Sequence, residues 1–231
     1  MNWVTRTHVG LVRLLNEDTV FADGSLYGVA DGMGGHNAGE VASRLAADRM
    51  MERLHGKTPS QDLMKAALID VNRAVFTEQT SHKEYSGMGT TLTVLWEGDQ
   101  EIFIGHIGDS RAYLLRDGSL KQITRDHSLV QEMLSQGLIT REEALVHPYR
   151  NVITRAVGTD PYVESDCLTL EKNNGDIWLL CSDGLSNFVS DEEMERTLIS
   201  QNLETAADSL LQTALQNGGR DNISLLIAEV S

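Results

Sequence analysis

The sequence predicts an α+β fold, a sandwich of antiparallel β-sheets covered by α-helices. Two observations carry that reading. The middle of the chain reads as strands in direct succession: Thr90-Thr-Leu-Thr-Val-Leu-Trp96, Glu101-Ile-Phe-Ile-Gly-His-Ile107, Arg111-Ala-Tyr-Leu-Leu-Arg116 and Leu120-Lys-Gln-Ile123. Gly98-Asp99 and Asp117-Gly118 stand between them as turns, and hairpins pair strands antiparallel, without the long crossovers that parallel strands need. Helical periodicity appears on either side of this run, which suggests helices laid over sheets.

Taken in order, Leu26-Tyr-Gly-Val-Ala30 is a short buried-strand run that delivers Asp31. After the glycines, Ala38, Val41, Ala42, Leu45 and Ala46 recur at helical spacing, with Arg44, Asp48 and Arg49 largely on other faces. Pro59-Ser60 precedes a second amphipathic helix carrying Leu63, Ala67, Leu68, Val71 and Val75. Beyond the hairpins, a helix from Ser128 sets Leu129, Val130, Met133 and Leu134 on one face, and Thr140-Arg-Glu-Glu143 is a capping box that starts another. Asp176-Ile-Trp-Leu-Leu-Cys181 reads as a buried strand. Ser190-Asp-Glu-Glu193 opens a further helix, and Ala207, Leu210, Leu211, Ala214 and Leu215 mark one that ends at Gly218-Gly219. Ile223-Ser-Leu-Leu-Ile-Ala228 closes the chain as a strand.

At 231 residues with 41% hydrophobic content and three prolines, the chain has material for one large core and no linker to divide it, so residues 1–231 are expected to form one domain. No apolar run approaches the roughly 20 residues of a membrane span. Met1–His8 lacks the apolar stretch of a secretory signal. Cys167 and Cys181 form neither a metal spacing nor a disulfide framework, which favours a reduced cytoplasm. A formal net charge of −15 disfavours nucleic acid as a partner, because that needs a basic stripe.

Five aspartates stand at the ends of strand-like runs: Asp18, Asp31, Asp109, Asp183 and Asp221. A carboxylate just beyond a buried strand is costly to leave unpaired, and several converging on one place repel one another unless a cation sits between them. Oxygen-only donors select hard ions such as Mg²⁺, Mn²⁺ or Ca²⁺ over Zn²⁺. Two such ions bridged by one carboxylate generate hydroxide near neutral pH and stabilise a displacement at phosphorus. Asp31 is the best bridge, since Gly32 lets the backbone approach closely enough to offer its carbonyl. The plainer readings are turn residues for Asp31, Asp109, Asp183 and Asp221 and a surface or capping residue for Asp18. Asp117-Gly118 looks similar but sits between two strand runs and is assigned to a hairpin turn.

The order of the segments is more specific than any one of them. Arg13…Asn16-Glu-Asp18, Asp31-Gly-Met-Gly-Gly-His36, Gly87-Met-Gly-Thr-Thr91, Gly108-Asp-Ser-Arg-Ala-Tyr113, Thr124-Arg-Asp-His-Ser128, Cys181-Ser-Asp-Gly-Leu185 and Gly219-Arg-Asp-Asn222 together resemble the bacterial branch of the PP2C (PPM) metal-dependent Ser/Thr protein phosphatases, from about residue 5 to the C-terminus.

The resemblance implies a four-layer α-β-β-α sandwich and an enzyme that hydrolyses phosphoserine and phosphothreonine by direct attack of a hydroxide bridging two Mn²⁺ or Mg²⁺ ions. It implies that Asp31 bridges the ions, that the Gly32 carbonyl, Asp183 and Asp221 complete the set, and that Asp18 acts mainly through metal-bound water. Arg13 would bind the substrate phosphate, a role that suits its planar fork; the plain alternative is an ion pair with Asp18 or Glu17. Asp109 and Asp183 would contribute to a possible third ion, with Asn151, after His147-Pro-Tyr-Arg150, as a further ligand or a loop-anchoring amide. Roughly 135–150 corresponds to a flap beside the site. Met33 stands where many relatives carry a histidine proposed as general acid; His36 is the nearby substitute, or else a helix-start or supporting residue. His8, His106 and His127 read as packing or supporting residues. Cys181, lacking the Cys-x5-Arg loop of cysteine phosphatases, does not read as a nucleophile. The expected partners are phosphorylated proteins made by a Ser/Thr kinase, met by a cytoplasmic monomer. The rivals are a regulatory phosphatase dedicated to one partner and a catalytically silent phosphoprotein-binding relative.

Overall fold

A computed structural model describes residues 1–34 and 38–231. The first sheet runs, in spatial order, β1 (Asn2–His8), β11 (Ile223–Glu229), β10 (Ile177–Cys181), β7 (Arg111–Arg116) and β8 (Ser119–Gln122). The second runs β2 (Asp18–Ala22), β3 (Leu26–Met33), β5 (Leu92–Glu97), β6 (Glu101–Ile107) and β9 (Asp166–Glu171), with the short β4 (Gly89–Thr90) on the end of β3. Every pairing is antiparallel, as hairpin succession requires. At the β7–β8 turn Asp117 and Gly118 take φ of 53° and 75°, the doubly positive pair that an Asp-Gly hairpin supplies.

Strand alternation decides where each side chain goes. In β10, Leu179 and Cys181 face one side and Trp178 and Leu180 the other; in β11, Ile223, Leu225 and Ile227 alternate with Leu226 and Ala228. Trp178, Leu180, Leu226 and Ala228 meet Tyr27, Val29, Leu95, Ile102 and Ile104 of the second sheet in a core between the sheets. The outer face of the first sheet packs under α5 (Asp183–Ser186), α6 (Asp191–Ser200) and α7 (Leu203–Gln216). The outer face of the second packs under α1 (Ala38–Leu54) and α2 (Gln61–Ser81). The result is the four-layer α-β-β-α sandwich. Interior strands have two apolar faces, which is why they read as continuous apolar runs rather than alternating ones.

β1, β2 and β9 carry no strand signal in the sequence reading, and all three are sheet edges. In β1 only Val4 is fully buried, and in β9 no residue is. An edge strand buries less, so its apolar pattern is thinner. The predicted strand Thr90–Trp96 is divided at Thr91, whose backbone turns to bond Asp31. The predicted helix starts hold: Ser60 Oγ accepts from Leu63 N, and Thr140 and Glu143 form both bonds of the capping box. α3 (Leu129–Ser135) and α4 (Arg141–Leu145) lie in the connection from β8 to β9; the apolar residues of α3 are only half-buried. Among the described residues no helix is long and apolar enough to cross a membrane.

Candidate metal centre

The five aspartates meet because the strands that carry them end together. Asp18 opens β2 and lies opposite Asp31 on β3. Asp31 follows Tyr27 and Val29 at the two-residue period, so its carboxyl enters the gap between the sheets. β5 pairs β3 through Val29↔Thr93 and β6 through Leu92↔Ile107, which puts Asp109, two residues past β6, at the same end. In the first sheet Cys181 pairs with both Leu225 and Arg111, so Asp183 and Asp221 reach that end as well. Ser182 Oγ then donates to Asp18 Oδ2 at 2.8 Å, one sheet to the other.

Asp31 is the centre of the set. Its carboxyl feels the charges of the other four. Burial first, then the charges of Asp18, Asp183, Asp109 and Asp221, raise its pKa well above the usual carboxylate range. Burial likewise pushes Asp18 and Asp109 up to about 6 and Asp183 up to about 8, with neighbouring carboxylates adding to each shift. Asp18 Oδ1 is buried and accepts no hydrogen bond from the described residues. A buried acceptor without a donor, among carboxylates that repel one another, fits a hard cation. Among the described residues no three His, Cys, Asp or Glu side chains are already drawn close enough to enclose an ion. The set is gathered but not closed.

Three motif positions left without a role in the sequence reading hold this centre. Thr91 Oγ1 accepts from Asp31 N at 2.9 Å, Thr90 Oγ1 donates to Asp31 O at 2.9 Å, and Thr91 N donates to the same carbonyl. Asn222 donates to Val9 O and Leu15 O and accepts from Glu17 N, pinning the segment that leads to Asp18. The signal was there in Gly87–Thr91 and Gly219–Asn222, but only contacts across 60 or 200 residues give it meaning. Gly32 has a packing reason of its own, since a Cβ there would overlap Gly39 O and Glu17 O.

Arg13 is half-exposed at the rim and donates to Asp221 Oδ2 at 2.9 Å. Its partner is therefore Asp221 rather than Asp18 or Glu17. Asn151 lies in an exposed turn, and its side chain makes no hydrogen bond among the described residues. His36 falls outside the described residues. His106 is buried between Thr93 Oγ1 and Arg125 O, and burial lowers it to about 4, so it is neutral. His127 accepts from Gly108 N at 3.1 Å and so supports the turn that carries Asp109. Burial pushes the Cys181 thiol up to about 12, which leaves it no thiolate at neutral pH.

Facing antiparallel sheets with oxygen donors gathered at one end define a class of scaffold suited to hard divalent ions. The comparisons narrow it. The model of the protein phosphatase 2C family matches residues 13–218, and the chain belongs to that family. The serine/threonine protein phosphatase PstP of Mycobacterium tuberculosis is 43% identical over 233 residues, covering 100% of this chain; the chain spans 45% of that relative's length. The serine/threonine phosphatase stp of Listeria welshimeri is 38% identical over 237 residues, covering 97% of this chain and 94% of its own length. The crystal structure of the PstP catalytic domain in complex with 2 manganese ions superposes with a TM-score of 0.92 at 39% identity, covering 100% of this chain and 98% of that one.

Proposed function

We propose that this chain is a bacterial metal-dependent protein-serine/threonine phosphatase, one catalytic domain over residues 1–231 with a flap at roughly 135–150. The observation that carries the reading is the gathering of four strand-end aspartates around a fifth, Asp31, with Arg13 at the rim and Asp18 Oδ1 without a donor among the described residues. In this reading Asp31, the Gly32 carbonyl, Asp183 and Asp221 hold two Mn²⁺ or Mg²⁺ ions, with Asp18 at the edge of that set. Asp109 and Asp183 serve a third, with Asn151 as a further ligand. The two manganese ions in the PstP structure support the choice of metal. When bound, the ions supply Lewis-acid charge and a water acidic enough to attack phosphorus near neutral pH.

The chain's own residues do the rest. Asp31, whose pKa burial and then its neighbours' charges raise, would ionise once cations offset that charge. Arg13 exchanges Asp221 for the phosphoryl oxygens, which frees that carboxylate and orients the substrate in one movement. The leaving alkoxide needs a proton, for which His36 is the candidate on the chain. Cys181, buried and un-ionised, gives no phosphoenzyme route. The partners in this reading are phosphoproteins made by a Ser/Thr kinase, and the setting is cytoplasmic signalling by a monomer. The charge of −15 supports a protein that avoids nucleic acid.

A panel of unrelated phosphoserine and phosphothreonine peptides, assayed with Mn²⁺ and with EDTA, tests this. Hydrolysis across the panel that EDTA abolishes is the expected result. Activity on one phosphoprotein alone would point to a dedicated regulatory phosphatase. A calorimetric titration without Mn²⁺ binding would sink the reading in favour of a silent phosphoprotein-binding relative.

A further inference from the structure

Arg13 sits inside an apolar patch. Leu11, Val12, Leu14 and Leu15 are 66%, 65%, 95% and 42% exposed. Single exposed apolar side chains are ordinary, and a surface turn favours polar ones. Four in five consecutive positions, broken only by an arginine, mark an interaction surface.

The patch is held, not loose. Gly10 takes a φ of +82°, and a Cβ there would overlap Asp221 O. Leu11 N donates to Gly219 O at 2.6 Å. Asn222 Nδ2 donates to Val9 O at 2.9 Å and Leu15 O at 2.8 Å. Both ends of the loop are thus clamped on the residue beside Asp221, which holds the backbone on either side of Arg13. A second exposed pair, Val146 and Tyr149, lies on the connection from β8 to β9. The far end of that connection is tied to the Asp109 turn, since Thr154 N donates to His127 O and His127 N to Gly108 O, both at 2.8 Å.

We infer that the Leu11–Leu15 loop reads the peptide around the phosphorylated residue and selects phosphoprotein segments with a large apolar side chain one or two positions away. The inference rests on the phosphatase reading and deepens it. The occupant follows from geometry: a phosphoryl group held by Arg13 brings its flanking residues over the patch, because each residue advances an extended chain by only about 3.3–3.6 Å. Charge points the same way. With a net charge of −15 and five carboxylates at the centre, the surface repels acidic flanks, whereas apolar contact is indifferent to that field.

The test compares kcat/KM for two phosphothreonine peptides that differ only in leucine or serine at the flanking position, using Mn²⁺-loaded protein and its Leu14→Ser variant. The wild-type protein is expected to prefer the leucine peptide by about 10-fold, the scale of partly burying one apolar side chain. In Leu14→Ser that preference falls to about 2-fold or less, and in the wild type it persists at high salt, because apolar contacts are not screened. A wild-type ratio near one, a ratio unchanged in the variant, or a preference that disappears with salt overturns the inference while leaving the phosphatase reading intact. Failure of the wild type to hydrolyse either peptide overturns both. If sedimentation shows Leu14→Ser dissociating an oligomer while the peptide ratio stays as it was, the patch is a self-association surface and the inference fails.

Discussion

Asp176 precedes β10 and Asp183 follows it, so one strand carries a withdrawn carboxylate at each end. At the near end Arg116 Nε and Nη2 grip Asp176 at 2.8 and 2.6 Å, and Asn173 N adds a third donor at 3.0 Å. At the far end Asp183 receives Asn187 Nδ2 at 3.0 Å, while burial first, then the charges of Asp109, Asp221 and Asp18, raise it to about 8. Asp126, gripped by Arg111 at 2.7 and 3.0 Å, repeats the first arrangement. Asp176 is buried whereas Asp126 and Asp183 are partly exposed, and the partner rather than the depth sets the two ends of β10 apart. At Asp176 and Asp126 an arginine neutralises the carboxylate; at Asp183 no arginine comes among the described residues, and the carboxyl is left among others of its kind.

The largest effect should come from breaking the far end. Asp31→Asn is expected to lower Mn²⁺-dependent hydrolysis of a phosphothreonine peptide by more than about 100-fold, beyond what loss of an outer-shell partner costs, with an unchanged circular dichroism spectrum. Retained activity would remove Asp31 from the centre. Next come the two ends of β10 in urea denaturation without metal. Asp176→Asn, by leaving Arg116 without its carboxylate, should cost about 2 kcal/mol, below the usual range for a buried pair because Arg116 is part-exposed. Asp183→Asn should cost little near neutral pH and stabilise above about pH 8, where the carboxyl would otherwise ionise among its neighbours. Equal losses at both ends would dissolve the contrast.

Metal removal gives the pH test. Asp18, Asp31 and Asp183 have folded pKa values raised above the unfolded value, so between those limits the folded protein binds more protons than the unfolded one. Their stabilising contribution is complete below the unfolded value near 4 and is lost as pH rises through about 6 to about 8. The melting temperature in EDTA should therefore fall across that window, and the gain on adding Mn²⁺ should grow with pH; a gain independent of pH would refute it. The smallest change concerns the rim. Arg13→Ala should raise KM for a phosphopeptide by about 10-fold, the scale of one charged hydrogen bond, with less effect on kcat. Steady-state kinetics decide, and an unchanged KM would deny Arg13 its phosphate role.

Much of this was legible along the chain. The interior strands announce themselves because both faces are apolar, and the helix starts because Ser60, Thr140 and Ser190 cap them by local bonds. The edge strands β1, β2 and β9 were not legible, because half-wet strands dilute the pattern. In the site, each aspartate was visible as an odd charge after an apolar run. The clamps were not: Thr91 acts on Asp31 and Ser182 on Asp18 over separations of 60 and 164 residues. Arg13's partner, Asp221, lies 208 residues away.

The sequence by itself determined which groups carry charge and where strands, turns and caps fall, because those depend on side-chain chemistry and nearest neighbours. Only the tertiary structure decided which aspartates are neutralised and which are left facing one another. Asp176 and Asp183 stand seven positions apart in one segment; the sequence marks Asp183 as a charge after an apolar run, but it shows the partner of neither. The difference arises from which strand each end of β10 meets, and a pKa follows burial and charge in space rather than order along the chain.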